Sequence, residues 1–239
     1  MLDILQFRDK GTININDIKY YYKHNTNYLE LLVEQIAKLF DIKHVHYIPI
    51  TYGNNNIYLS EDLNNYGEYK TAEDIGIKYN NIDYIRDELL YIYPNDYERL
   101  MTQVIKMYYM DLMILNIDRN VGNWGFLKDK NNNINLYILD NELSFIGEHS
   151  ILSSCDNPEK RSIIEVKNIL DNFPIEYNEL FLEMYNELDS IQLQLLIHDV
   201  ENSIGKELPN KDYYIKSFNQ FRDKIDKLIK EKNKEKVNK

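Results

Sequence analysis

Apolar and polar residues alternate over positions 12–23, with Ile13, Ile15, Ile18, Tyr20 and Tyr22 on the apolar beats and Asn16-Asp17 between the two runs. Period-two alternation around a polar pair predicts a β-hairpin with Lys23 at its exit. After Asn25-Thr26-Asn27, a suitable helix N-cap cluster, the residues Leu29, Leu32, Val33, Ile36, Ala37 and Phe40 fall on one stripe of a helix. A second strand pair is expected over 45–50 and 57–59, separated by Gly53 and three asparagines, and there the β-rich part is expected to end. Beyond about residue 70 the period becomes helical. The clearest helix, 98–115, carries Leu100, Met101, Val104, Ile105, Tyr108 and Leu112 on one face, and further helices are expected over 163–170, 177–199 and 213–229. One β interruption lies among them: 124–127 and 134–139 flank the polar turn Asp129-Lys130-Asn131-Asn132-Asn133. The Lys/Glu-rich end, 227–239, extends the last helix and frays. The expected class is therefore α+β, a small β-rich part over 1–63 followed by a larger helical part over 64–239 with an embedded hairpin.

Geometry gives that hairpin its chemical interest. Pairing Lys128 with Ile134 sets Asn123 across from Leu139 and beside Asp140, and cross-strand neighbours lie about 5 Å apart. An amide oxygen and a carboxylate then converge at the open end of the ribbon. Such hard oxygens suit Mg²⁺ or Mn²⁺, which bind through one or two carboxylates plus substrate phosphates. Asp118 precedes Asn123 by five residues, in the loop after the long helix, where a carboxylate can accept the proton of an attacking hydroxyl. The same spacing recurs at Asp111 and Asn116, with Asp111 inside the predicted helix; only the Asp118 copy follows the helix and is coupled to a hairpin that ends in an aspartate.

Composition narrows the reading. At 239 residues and 44% hydrophobic, the chain has enough apolar material for a sizeable core. A net charge of −11 argues against broad electrostatic binding to nucleic acid or to an anionic membrane. Cys155 is the only cysteine, which excludes an intramolecular disulfide and a multi-cysteine zinc site and fits a reducing, cytoplasmic setting. No stretch reaches the roughly 18 apolar residues of a membrane span, and no secretory leader is expected.

The segment Asn116-Ile117-Asp118-Arg119-Asn120-Val121-Gly122-Asn123-Trp124-Gly125-Phe126-Leu127, followed by Leu136-Tyr137-Ile138-Leu139-Asp140-Asn141, resembles the catalytic and metal-binding segments of HipA-like serine/threonine kinases. Phosphatidylinositol kinases share the Asp-Arg opening and the Asp-to-Asn spacing more distantly. The resemblance implies a two-lobed protein-kinase-like fold with a catalytic loop at 116–123, Asp118 as catalytic base, and Asn123 and Asp140 as magnesium ligands. Upstream it implies a strand lysine that contacts ATP phosphates and pairs with a helix glutamate. Tyr20-Tyr21-Tyr22-Lys23 leads into a helix bearing Glu30 and Glu34; Lys23 and Glu30 fit best, with Lys19 a rival of the same strand parity. The segment 57–63 is similar to the one that joins the two lobes. Gly11 is the sole glycine among the 22 residues before Lys23, so a glycine-rich phosphate loop is not expected and the N-terminal lobe is reduced. Neither Asp-Phe-Gly nor His-Arg-Asp occurs, unlike in ordinary eukaryotic-type kinases.

The implied activity is ATP- and Mg²⁺-dependent phosphorylation of a serine or threonine of a protein, by a toxin or regulatory kinase with an antitoxin or regulatory protein as partner. A noncatalytic pseudokinase or interaction module and a small-molecule or lipid kinase are the alternatives. His44 and His46 read as a polar strand end rather than a metal pair, since no third ligand is evident. Nothing brings Cys155 to His149 or His198, and Ser150, Ser153 and Ser154 fall where kinases keep an activation segment.

Overall fold

The computed structural model describes residues 10–24, 28–52, 55–141, 143–145 and 158–237. The alternation at the start becomes β1 (Lys10–Ile15) and β2 (Ile18–His24), paired antiparallel with Ile15 opposite Ile18. Asn16 and Asp17 both take positive φ, 51° and 64°, as a two-residue type I′ turn requires. β3 (Tyr47–Tyr52) and β4 (Asn55–Glu61) complete an antiparallel sheet in the order β1-β2-β4-β3.

Helix α1 (Leu29–Leu39) packs on β3 on one side and on α6 (Ser190–Ile204) on the other. The sequence shows one apolar stripe, yet Leu29 to Glu34 are all buried, because the helix is covered on both sides. Leu32, Val33 and Ile36 are fully buried, each contributing about 1.5–3 kcal/mol relative to exposure. The residue before the helix is Tyr28, at φ 55° with no side-chain cap; the expected cap cluster 25–27 lies outside the described residues.

The β-rich part does not end where the sequence pattern suggests. β5 (Gly67–Thr71) joins β6 (Trp124–Asp129) and β7 (Ile134–Ile138) in a second antiparallel sheet, so the hairpin has a third strand. With Tyr69 as its one large apolar residue, β5 carries almost no alternation to detect. Its pairing depends on Gly125, opposite Thr71: a Cβ there would sit 2.2 Å from the Lys70 carbonyl oxygen and 2.6 Å from Thr71 Cα. Backbone cannot swing aside as a side chain can. Gly125→Ala should lower unfolding free energy in urea by about 3 kcal/mol, the upper end of overpacking costs, and an unchanged midpoint would refute this account of the sheet.

The remaining helices are α2 (Ile82–Ile92), α3 (Tyr97–Met113), α4 (Pro158–Asn172), α5 (Ile175–Glu187), α6 and α7 (Lys211–Val237). The single helix expected over 177–199 is two, because Asp189 leaves the helical backbone and caps α6, its carboxylate accepting the Gln192 N–H at 2.7 Å. One apolar core runs from α1 through α3 and the second sheet to α7, and a small cluster of Tyr22, Ile57 and Leu59 covers the other face of the first sheet. The second sheet is tied to the segment between α1 and β3: Ile138 donates to the Lys43 carbonyl at 3.0 Å, and its own carbonyl accepts the Val45 N–H at 3.2 Å. Among the described residues, no helix is long and apolar enough to cross a membrane.

Candidate active site

The hairpin register is Lys128 opposite Ile134 and Trp124 opposite Ile138, and beyond it the Leu139 N–H donates to the Asn123 carbonyl at 2.8 Å. Asn123 and Asp140 are therefore brought to the open end of the ribbon. Asp140 takes φ 43°, a left-handed conformation uncommon outside glycine but tolerated by aspartate. Asp118 lies beside them. The Asn123 side-chain amide donates to the Asp118 carbonyl oxygen at 2.7 Å and to its carboxylate at 3.3 Å. That leaves the Asn123 amide oxygen as the group available to a cation. The Asp118 N–H is held by the Asn116 side chain at 3.1 Å.

Lys23, at the exit of β2, reaches the same place from the other sheet. Its ammonium pairs with Glu30 and approaches the Asp140 carboxylate at 3.3 Å. Glu30 is fully buried, and its second oxygen accepts the Asn141 N–H at 3.1 Å. Burial pushes the Glu30 carboxyl above its ordinary range, and the Lys23 ammonium opposes that shift. The other candidates pair elsewhere. Lys19 binds Asp62 at 2.7 Å. Glu34 binds His46 at 2.6 Å and Lys38 at 2.8 Å and accepts the Tyr47 N–H at 3.1 Å. Burial alone would raise the Glu34 carboxyl; these donors hold it below its ordinary range. His44 Nδ1 lies 3.1 Å from the Val45 carbonyl, so the two histidines serve separate local contacts. Cys155, His149, Ser150, Ser153 and Ser154 lie outside the described residues.

Between the two sheets opens a cavity of 620 Å³. Lys23, Tyr47, Asn123 and Asp140 line it, together with Tyr58, Ser60 and Tyr69. The hydroxyls of Tyr58 and Tyr69 are buried without a hydrogen-bond partner among the described residues. No cluster of three or more histidine, cysteine, aspartate or glutamate side chains suited to a metal occurs among the described residues. Oxygen donors from one asparagine and one aspartate suit a hard cation that keeps waters and substrate phosphates as its other ligands.

Two supporting groups are not evident from motif spacing. Asp111, which repeats the Asp-to-Asn spacing with Asn116, is the anchor of a buried brace. Its carboxylate takes both Nε and Nη2 of Arg119, at 2.9 and 3.0 Å, and the Asn116 amide at 2.9 Å. Arg119 Nη1 donates in turn to the carbonyls of Asn123 at 2.9 Å and Leu139 at 2.8 Å. Tyr47 is the other, its hydroxyl accepting the Asp140 N–H at 3.2 Å.

No family model and no curated protein matches the sequence. Solved structures do match the fold. The crystal structure of a Helicobacter pylori proinflammatory kinase, CtkA, aligns with a TM-score of 0.62 at 16% identity, over 90% of this chain and 88% of that one. The chain has the HipA-like kinase fold. HipA of Shewanella oneidensis MR-1, solved with HipB and operator DNA, aligns with a TM-score of 0.56 at 11% identity, over 94% of this chain and 66% of the HipA chain. In this fold the four-stranded sheet faces the second sheet and its flanking loops across the 620 Å³ cavity.

Proposed function

We propose that the chain is an ATP-dependent serine/threonine protein kinase of HipA-like type. The observation that carries this reading is the convergence of Lys23, Asn123 and Asp140 on one cavity, with Glu30 paired to Lys23 and Asp118 bonded to the Asn123 amide. Lys23, fixed by Glu30, is placed to hold nucleotide phosphates. Asn123 and Asp140 would hold Mg²⁺ or Mn²⁺, which when bound neutralises charge developing on the phosphates. Asp118 accepts the proton of the acceptor hydroxyl as its oxygen bonds to the γ-phosphorus. The bond from that phosphorus to the bridging oxygen breaks, and ADP leaves with the electron pair. Positioning supplies much of the acceleration, which is why the asparagine that orients Asp118 matters as well.

A HipA-like kinase of this kind is further read as a cytoplasmic toxin or regulatory kinase controlled by a partner protein, as HipA occurs in complex with HipB. The deciding experiment is transfer of label from γ-labelled ATP with Mg²⁺, read by autoradiography and mass spectrometry of phosphorylated protein, comparing the wild type with Asp118→Ala. Loss of transfer by at least about a hundredfold is expected for removal of a general base. Equal rates would overturn the mechanism.

One observation favours a noncatalytic nucleotide-free module instead. The β1–β2 turn is a tight two-residue turn, and Gly11 faces the Tyr22 ring, whose hydroxyl lies 2.6 Å from where a Cβ would be, so this hairpin offers no glycine-rich cradle for phosphates. Thermal denaturation separates the two readings, because a ligand that binds only the folded chain must raise Tm. Absence of any rise at millimolar ATP with Mg²⁺ would favour the module.

A further inference from the structure

Tyr47 lies against Lys23 and the Asp140 backbone, two of the groups that the proposed reaction needs. It opens β3, is almost fully buried, and its N–H is fixed by the Glu34 carboxylate at 3.1 Å. Its ring meets the Tyr58 ring edge-on, with centroids 6.0 Å apart, and the Lys23 ammonium stands 5.6 Å from its centroid. Its hydroxyl accepts the Asp140 N–H at 3.2 Å. The next N–H along the chain, that of Asn141, goes to Glu30. Two successive backbone donors of the segment bearing the metal-site carboxylate are thus captured by a phenol from β3 and a carboxylate from α1. Asp140 lies at φ 43°, where a side chain other than glycine needs its surroundings to hold it.

We propose that Tyr47 is a positioning residue of this site: its hydroxyl holds the Asp140 backbone in the left-handed conformation that aims the carboxylate into the cavity beside Asn123. The inference rests on the kinase reading for its consequence, though not for its geometry. At neutral pH the phenol is uncharged, its ordinary pKa being about 10. A neutral hydroxyl can accept the Asp140 N–H without placing a negative charge beside two carboxylates. Phenylalanine keeps the ring, its edge-on contact with Tyr58 and the surface beneath Lys23, and removes the hydroxyl, which accepts the Asp140 N–H and donates to Glu30.

Two measurements on Tyr47→Phe test this. The first needs no ligand: amide hydrogen exchange by NMR, where the Asp140 amide should exchange three- to tenfold faster, the loss expected of one net hydrogen bond, while the Val45 and Ile138 amides stay at wild-type rates. Exchange at Asp140 that matches the wild type overturns the proposal. So does acceleration spread equally over Val45 and Ile138, since that is general loosening. The second is calorimetric binding of ADP with and without Mn²⁺. A positioning role weakens binding by about tenfold in the presence of metal and leaves metal-free binding as it was. Equal weakening in both conditions overturns the metal-site role. If wild-type protein binds no ADP under either condition, the kinase reading fails, and the Asp140 exchange rate alone then decides whether Tyr47 holds that segment.

Discussion

Asparagine in place of Asp140 is expected to leave the chain folded and to remove nearly all phosphoryl transfer. The side chain is about half exposed, at 49%, and asparagine preserves its shape and its tolerance of positive φ. The contact it loses, to Lys23 at 3.3 Å, is a partly solvated pair of small worth, and Lys23 keeps its buried partner Glu30. Stability should therefore stay within about 1 kcal/mol of wild type. Catalysis should not. A neutral amide is a far weaker ligand than a carboxylate for a hard divalent cation, and a bound metal supplies several kcal/mol of charge stabilisation at a transferring phosphoryl group. A loss of about 4 kcal/mol corresponds to a rate lower by roughly a thousandfold. Measured across a Mg²⁺ series at saturating ATP, the variant should need far more metal for its residual activity. A wild-type metal dependence would remove Asp140 from the site.

The parts of this site legible in the sequence are those set by local periodicity. A polar turn at 129–133 between two apolar runs fixes the hairpin register, and register alone carries Asn123 to Asp140. The pairing of Lys23 with Glu30, seven residues on, is expected from the family resemblance rather than from periodicity, which leaves Lys19 and Glu34 as rivals. Contacts made across the fold leave no such trace. Tyr47 reads as one more apolar strand residue, because its partner is 93 residues away. β5 pairs with a strand more than fifty residues later and has one large apolar residue to announce it. Asp111 repeats with Asn116 the spacing of Asp118 to Asn123, and in the sequence only its place inside a helix sets it apart. That spacing reflects structure instead: Asn116 folds back to cap the carboxylate that Arg119 grips, and its own oxygen then holds the Asp118 N–H.

Arg119→Ala is expected to be the most destabilising single change in the site. The guanidinium and the Asp111 carboxylate are almost fully buried, at 4% and 9% exposure, with two parallel bonds between them. Removing one partner strands the other as an uncompensated buried charge, which costs about 3–5 kcal/mol. The Asn116 amide alone remains on that carboxylate, and the carbonyls of Asn123 and Leu139 lose the donor they share. In a chain of this size such a loss lowers Tm by roughly 10 °C or more. The stranded charge and the lost brace can be separated. Combining Arg119→Met with Asp111→Leu replaces the pair by apolar groups of similar bulk, which in buried pairs restores most of the stability. It restores no donor to the two carbonyls. The double variant should therefore regain most of its urea-unfolding free energy while phosphoryl transfer stays at least about tenfold low, the loss expected when catalytic groups drift from alignment. If transfer returned with stability, Arg119 would serve only to neutralise Asp111, and the register between Asn123 and Asp140 would be held by the hairpin alone.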